Sequence, residues 1–168
     1  MSVIEFPSIA PTLGKLLMQR GWMFGCAESC TGGLLAAAMT DTPGSSQWFD
    51  RGFITYSNAA KIDLLQVNPE TLERFGAVSE ETAMEMAAGV LENAELAHYA
   101  IATTGVAGPG GGTPGKPVGM VCFGFAQRTH EGVVTRAMTK IFEGDRNHIR
   151  HAAVAFALST ASSFIEQR

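Results

Sequence analysis

Three segments of the sequence concentrate residue types that could do chemistry: residues 28–33, 56–61 and 103–112. The first follows a short apolar run typical of a strand and precedes a run typical of a helix. Backbone N–H groups at such a helix start bind phosphate or a developing oxyanion. Gly32 and Gly33 remove side chains where a ligand would approach. We therefore expect a ligand or a reacting group at this segment.

Ser29, Cys30 and Thr31 give the first segment its reactive side chains. A serine hydroxyl beside a base can act as a nucleophile, whereas Ser29 and Thr31 also suit the capping of a helix N-terminus. Cys30 is a rival nucleophile, although a single cysteine is more often a packed thiol. The residue types alone leave these alternatives open.

The second segment places Lys61 near the start of a predicted short helix. With Asn58 as the N-cap, Lys61 is the third helical residue, where a capping box would have Glu or Gln; with Ser57 as the N-cap, it lies one position further in. The positive end of the helix dipole disfavours a protonated lysine. The pattern thus indicates a lysine of lowered pKa that could deprotonate a hydroxyl, with a solvated surface lysine as the alternative.

The third segment, 103–112, holds much of the excess among the 19 glycines of the chain. Long irregular loops are uncommon and are usually functional or disordered. Here Pro114 and Pro117 limit the freedom of the glycines, which favours an ordered loop around a ligand. Residues 110–116 also fit the pattern G-x-x-x-x-G-K, but Pro117 lacks the hydroxyl that binds Mg²⁺ and a strand pattern follows. It is not a phosphate-binding loop of that class.

Asp145 and Arg146 open the last predicted helix. Asp145 suits the N-cap, and Arg146 is either solvated or placed to clamp a phosphate. His148 and His151 are three residues apart on that helix, but no carboxylate or thiol cluster accompanies them. We therefore expect no metal site.

An α/β framework must position these segments. Helix-type and strand-type patterns alternate along the chain and end in an antiparallel hairpin. This order predicts a three-layer α/β/α sandwich with a mixed sheet and helices on both faces. Ligands in such folds bind at the carboxyl ends of strands, where the three segments fall. The predicted strands are 23–27, 52–56, 99–103, 119–126 and 133–142; the predicted helices lie around 11–20, at 34–39 and 59–65, and after Ser79 and Asp145.

Composition and charge limit the class of protein. A chain of 168 residues with 46% hydrophobic and 17% charged residues predicts a single domain, residues 1–168, with a well-filled core. The net charge of −4 and the lack of a basic run argue against direct nucleic-acid binding. Three cysteines without regular spacing suit a reducing compartment. No apolar run is long enough for a bilayer and no signal peptide is visible, so we expect no membrane association and a cytoplasmic location.

Longer motifs resemble the C-terminal domain of the competence/damage-inducible protein family CinA, whose stand-alone members act as nicotinamide-nucleotide amidases. The likeness covers nearly the whole chain in order. The motifs that carry it are residues 27–33, 52–58 with Lys61, 76–79, 104–109, 116–119 and 144–146.

The resemblance implies an amidohydrolase that converts nicotinamide mononucleotide into nicotinate mononucleotide and ammonia without a metal or organic cofactor. It implies that Ser29 attacks the amide carbonyl and that Lys61 takes the proton of Ser29. Tyr56 and Thr104 would orient this pair or the carboxamide, and Arg146 would hold the phosphate. Backbone N–H groups near Gly32 and Gly33 would bind the oxyanion or the phosphate. The residues implied to bind the substrate are Glu28, Thr31, Gly32, Gly33, Gly105, Gly108, Gly110, Gly111 and Arg146.

Two other functions fit the same segments. One is a catalytically silent nucleotide-binding module in competence or DNA-damage responses, because the family includes copies without detectable activity. The other is a hydrolase that acts on a different pyridine or purine nucleotide. Each takes a small nucleotide as its ligand, and the resemblance also implies a homo-oligomer.

Overall fold

The computed structural model describes residues 9–167, which form six α-helices, one short 3₁₀ helix and five strands. In chain order these are α1 Ile9–Arg20, β1 Met23–Glu28, α2 Leu34–Thr40, the 3₁₀ helix Ser45–Gln47, β2 Phe49–Ile54, α3 Asn58–Leu65, α4 Pro69–Phe75, α5 Glu80–Asn93, β3 Ala97–Gly105, β4 Met120–Thr129, β5 Gly132–Ile141 and α6 Arg146–Glu166.

The five strands form one mixed sheet in the order β2-β1-β3-β4-β5. Strand β1 pairs in parallel with β2 and β3, whereas β4 is antiparallel to β3 and to β5. At the carboxyl end of β1, Glu28 pairs with Ile54 of β2 and with Thr103 of β3. The chain therefore leaves all three parallel strands at the same edge of the sheet, and the segments that follow them are neighbours.

Helices cover both faces of the sheet. Helices α1, α2 and α6 pack together on one face, and α3, α4 and α5 pack together on the other. Each face has its own apolar core, and β3 serves both cores because successive residues of a strand point to opposite sides: Ile101 belongs to the first core, and Ala100 and Ala102 belong to the second. The predicted three-layer sandwich with a mixed sheet is confirmed.

Several predicted boundaries are displaced in the structure. Strand β2 ends at Ile54, two residues before its predicted end. The carbonyls of the next two residues, Thr55 and Tyr56, accept hydrogen bonds from the Lys61 side chain. Strand β3 continues to Gly105, so Thr103 and Thr104 lie in a strand and the third segment becomes a loop only after them.

The short helix α4 was not predicted, although its start carries recognisable signals. Asn68 caps it by accepting the N–H of Glu70 at 2.9 Å, and Pro69 occupies the first helical position. The other helices fall where the patterns indicated, and Ser79 and Asp145 cap α5 and α6 as expected. No helix within residues 9–167 combines the length and the apolar character that crossing a membrane requires.

Candidate active site

Lys61 and Ser29 are in direct contact at the edge where the parallel strands end. The Lys61 Nζ lies 3.1 Å from the Ser29 Oγ, although the residues are 32 positions apart. The same amine donates hydrogen bonds to the backbone carbonyls of Thr55 at 2.9 Å and Tyr56 at 3.1 Å. The Ser29 hydroxyl lies 3.3 Å from the Tyr56 carbonyl. The first two predicted segments thus meet in one hydrogen-bonded cluster.

Lys61 is fully buried, which sets its protonation. Burial penalises the charged form of the amine and lowers the pKa of Lys61 from its ordinary value of 10.5. A lowered pKa was predicted, but from the helix dipole; the cause in the structure is burial. Ser57 caps α3 by accepting the N–H of Ala60 at 3.0 Å. Lys61 is therefore the fourth helical residue, and the register with Asn58 as the N-cap is wrong.

The contacts of Lys61 place its amine among three oxygen acceptors. A neutral amine has two N–H donors and one lone pair. Two of the three directions around Nζ face the carbonyls of Thr55 and Tyr56, which accept hydrogen bonds. The third direction faces the Ser29 hydroxyl. Nζ donates to the Ser29 Oγ, and the Ser29 hydroxyl in turn donates to the Tyr56 carbonyl. Loss of one proton from this amine leaves two N–H donors for the carbonyls and a lone pair toward Ser29, the arrangement that general-base catalysis requires.

Glu28 anchors the start of α2 from the end of β1. Its carboxylate is fully buried and accepts the backbone N–H groups of Leu35 at 2.8 Å and Ala36 at 3.1 Å. It also accepts the Thr31 hydroxyl at 2.7 Å. Glu28 and Thr31 were predicted to bind the substrate, but these contacts direct both side chains into the protein. The N-cap of α2 is Gly33, at a φ of 109°, so the capping roles considered for Ser29 and Thr31 are wrong.

The backbone of the first segment is only partly engaged. The Gly32 N–H donates to the Ser29 carbonyl at 3.1 Å, so this predicted oxyanion donor is already bonded. Within residues 9–167, the N–H groups of Thr31 and Gly33 have no hydrogen-bond acceptor. Unengaged N–H groups of this kind could donate to an oxyanion formed at the neighbouring Ser29.

Cys30 has the environment of a packed thiol. It is buried, and burial raises the pKa of Cys30 to about 12, an effect that a hydrogen bond from its own backbone N–H and the charge of Arg150 only partly offset. The thiolate is the nucleophilic form of cysteine. Cys30 therefore holds its proton throughout the neutral range, and the side-chain hydrogen bond of Lys61 goes to Ser29.

Arg146 joins the second and third segments. Its guanidinium donates to the Gly108 carbonyl at 2.7 Å and to the Tyr56 phenol oxygen at 3.2 Å. It is exposed at the first helical position of α6, after the Asp145 cap. Tyr56 is 60% exposed, so its ring and the guanidinium lie at the surface beside the Lys61 cluster, and only its backbone carbonyl contacts Lys61 and Ser29.

The predicted residues of the third segment divide into two groups. The Thr104 hydroxyl is buried and donates to the Ala77 carbonyl at 2.7 Å, so it ties β3 to the segment before α5. A Cβ at Gly105 would lie 2.7 Å from the Met120 carbonyl oxygen, which explains this glycine by strand packing. Gly110 and Gly111, by contrast, are exposed in the loop, where a ligand could reach them.

Arg150 is a neighbour of the site that the sequence patterns did not reveal. Its guanidinium donates to the carbonyls of Cys30 at 3.0 Å and Thr31 at 3.1 Å. The available signal was its spacing, because residues four apart on a helix share a face, and Arg150 follows Arg146 by four positions. Among residues 9–167, no three His, Cys, Asp or Glu side chains lie close enough to hold a metal ion.

Comparison with known proteins supplies the family. The family model described as the CinA C-terminal domain matches residues 7–165. The chain belongs to the CinA C-terminal domain family. Its match to this family covers all the segments discussed above, including the loop that carries Ser29 and the helix that carries Arg146.

Named relatives within the CinA family are close in sequence and length. Over 161 residues, the chain is 52% identical to a protein of Enterobacter agglomerans named nicotinamide-nucleotide amidohydrolase PncC, covering 96% of each chain. The protein of the same name from Escherichia coli K12 is 47% identical, over 95% of this chain and 94% of that one. The crystal structure of a competence damage-inducible protein A from Klebsiella pneumoniae superposes with a TM-score of 0.89 at 38% identity, over 95% of this chain and 96% of that one.

Proposed function

We propose that this chain hydrolyses the carboxamide of nicotinamide mononucleotide, giving nicotinate mononucleotide and ammonia. The observation that carries the proposal is the 3.1 Å contact between the Lys61 Nζ and the Ser29 Oγ, formed by a fully buried lysine. The names of the close relatives, which describe nicotinamide-nucleotide amidohydrolases, supply the substrate.

The reaction proceeds in two stages with a single nucleophile and a single base. Lys61 takes the Ser29 proton as the Oγ bonds to the carboxamide carbon, and Lys61 then gives that proton to the departing nitrogen, which leaves as ammonia. The product of this stage is an ester between Ser29 and the nicotinoyl group. Lys61 next takes a proton from water, the hydroxide adds to the ester carbon, and Ser29 leaves with the proton that Lys61 returns.

The surroundings of Ser29 supply the remaining roles. The unengaged N–H groups of Thr31 and Gly33 stabilise the oxyanion of each tetrahedral intermediate. Arg146 holds the phosphate, exchanging its bonds to Gly108 and Tyr56 for charge-assisted bonds to phosphate oxygens.

The other predicted residues fall into two groups: some hold the strand ends in place, and others lie where the nucleotide can contact them. Glu28, Thr31 and Thr104 hold the strand ends in place through their buried side-chain contacts. The exposed glycines Gly110 and Gly111 let the third segment approach the nucleotide.

We extend the proposal to the cofactors, the location and the oligomeric state of the enzyme. The chemistry requires no metal or organic cofactor, because the base and the nucleophile are both side chains. We further propose a cytoplasmic location, which three buried, unpaired cysteines support. Self-association into a homo-oligomer stays a prediction that light scattering of the purified protein would test.

Ammonia release by the purified protein tests the proposed function. The protein is incubated with nicotinamide mononucleotide, and ammonia and nicotinate mononucleotide are measured separately. We expect equal amounts of both products, because hydrolysis forms one of each. Nucleotide binding without product would instead indicate the catalytically silent module. Activity on a different pyridine or purine nucleotide alone would indicate another hydrolase.

Two variants identify the nucleophile. Ser29→Ala removes the attacking oxygen, so we expect loss of turnover with a modest change in nucleotide affinity. Cys30→Ala removes a thiol that stays protonated in the neutral range, so most of the turnover should remain. An active Ser29→Ala protein together with an inactive Cys30→Ala protein would reverse the assignment.

A further inference from the structure

Arg150 reaches from α6 to the backbone of the segment that carries Ser29. Its Nε donates to the Cys30 carbonyl and its Nη2 to the Thr31 carbonyl, across 120 and 119 positions of the chain. The guanidinium lies directly against Gly32, since a Cβ at that residue would lie 3.2 Å from Nη2. These two carbonyls belong to consecutive peptide groups, so one side chain fixes the orientation of both.

The orientation of a carbonyl determines the orientation of the N–H on the same peptide. In a trans peptide group the C=O and the N–H point in opposite directions. Because Arg150 holds the Thr31 carbonyl, the Gly32 N–H points away from it and bonds to the Ser29 carbonyl at 3.1 Å. Because Arg150 also holds the Cys30 carbonyl, the Thr31 N–H likewise points away from the guanidinium. Within residues 9–167 that N–H has no acceptor.

We infer that Arg150 is a positioning residue of the hydrolytic site, which aims the Thr31 N–H at the oxyanion that forms when Ser29 attacks the carboxamide. The inference rests on the proposed function. Arg150 itself touches neither the reacting atoms nor the phosphate in this role. Arg150 acts through the peptide group between Cys30 and Thr31. Loss of Arg150 should therefore lower kcat and leave substrate binding unchanged.

Replacing Arg150 by methionine tests this role. Methionine keeps a long side chain with a good helix propensity and removes both hydrogen bonds. Loss of one oxyanion donor costs on the order of 10²–10³ in rate, so a donor that is only misaligned should lower kcat by roughly tenfold or more. KM should change little, and Arg150→Lys should recover part of the loss. Added guanidinium chloride, at concentrations too low to unfold the protein, should raise the kcat of Arg150→Met.

Arg136→Met provides a matched control. Arg136 lies on β5, where its guanidinium packs over the Phe164 ring, far from the Ser29 segment in the sheet order. The same substitution there should leave kcat and KM unchanged. Thermal unfolding of each variant shows whether a loss of activity reflects a loss of the fold.

Each remaining outcome overturns the inference. If the wild type releases ammonia and Arg150→Met keeps its kcat, or only its KM rises, Arg150 does not position the site and the proposed function stands. If Arg150→Met unfolds and Arg150→Lys is folded with an unchanged kcat, the role is structural. A wild type that binds the nucleotide without releasing ammonia removes the proposed function, and this inference fails with it.

Discussion

The Glu28 Oε1 accepts the backbone N–H of Leu35 at 2.8 Å, so the last residue of β1 binds the first turn of the helix that follows it. The Glu28 Oε2 accepts the next N–H, that of Ala36, at 3.1 Å. Acceptor oxygens at a helix N-terminus are favourable, and here the side chain that supplies them is fully buried. Ser29 lies between the strand and the helix that this carboxylate joins, so its position depends on Glu28.

Glu28→Gln should weaken both the fold and the reaction. The glutamine amide offers a single acceptor oxygen, so one of the two helix N–H groups loses its partner. An unsatisfied buried group costs about 1–3 kcal/mol, which urea unfolding would measure, and the displaced loop should lower kcat. Glu85→Gln is the control. Glu85 also accepts a backbone N–H at a helix start, that of Asn68, the N-cap of α4, at 2.7 Å. It lies away from Ser29. An equal loss of kcat in both variants would contradict the positioning role of Glu28.

The pH dependence of hydrolysis should follow the lowered pKa of Lys61. Below that pKa the amine is protonated and cannot take the Ser29 proton, so kcat/KM should rise with pH and level off above it. Lys61→Arg places a permanently charged group there and should remove activity at every pH. Lys15→Arg, an exposed control, should keep the wild-type profile. An unchanged profile in Lys61→Arg would rule out Lys61 as the base.

The same pKa shift should appear in stability. The folded pKa of Lys61 lies below its ordinary value of 10.5. Between the two values the unfolded chain binds a proton that the folded chain does not, so the free energy of unfolding rises with pH across this window. Compared with Lys61→Met, the wild type should gain stability as pH increases toward about 10.4. Urea unfolding at several pH values would measure the difference, and parallel curves for the two proteins would contradict burial of the amine.

Arg146→Ala should act mainly on substrate binding. Hydrogen bonds to charged groups contribute about 1.5–3 kcal/mol, so KM should rise roughly tenfold or more with a smaller change in kcat. The phosphate can be tested directly with nicotinamide riboside, which lacks it. The wild type should prefer the mononucleotide, and Arg146→Ala should lose most of that preference. A preference that survives the substitution would place the phosphate elsewhere.

Thr55→Val should leave stability unchanged or raise it. The Thr55 Oγ1 is buried without a hydrogen-bond partner among residues 9–167, and valine has the same shape without the polar atom. Thr82→Val is the control, because the Thr82 hydroxyl donates to the Gly76 carbonyl at 2.8 Å; it should lose about 1 kcal/mol. Differential scanning calorimetry would compare the two. A comparable loss in Thr55→Val would mean that its hydroxyl has a bound water.

The order of the helices and strands was predictable, because it depends on local sequence patterns. Short apolar runs of strand length and turn residues located all five strands, and the Asp145 cap located α6. The end of β2 was not predictable, because the carbonyls that follow Ile54, those of Thr55 and Tyr56, accept hydrogen bonds from Lys61. These hydrogen bonds come from a side chain of the following helix, so the strand pattern carries no information about them.

The candidate site was predictable only where its side chains meet each other. Ser29 and Lys61 each follow a strand that ends at the same edge, so their proximity follows from the topology. Arg150 and Glu28 act on backbone groups, which nearly every residue type supplies. The spacing of Arg150 from Arg146 places both on one helix face, but the sequence does not identify the backbone groups that Arg150 and Glu28 bind.

The burial of all three thiols has a consequence for how the folding of this protein can be followed. Burial raises the pKa values of Cys26, Cys30 and Cys122, so each stays protonated and enclosed in the native state. Alkylating reagents attack thiolates, and they should react with these cysteines only when the surrounding layers separate. The rate of labelling at each cysteine, resolved by mass spectrometry, would thus report how often each part of the sandwich opens, with no probe added to the chain.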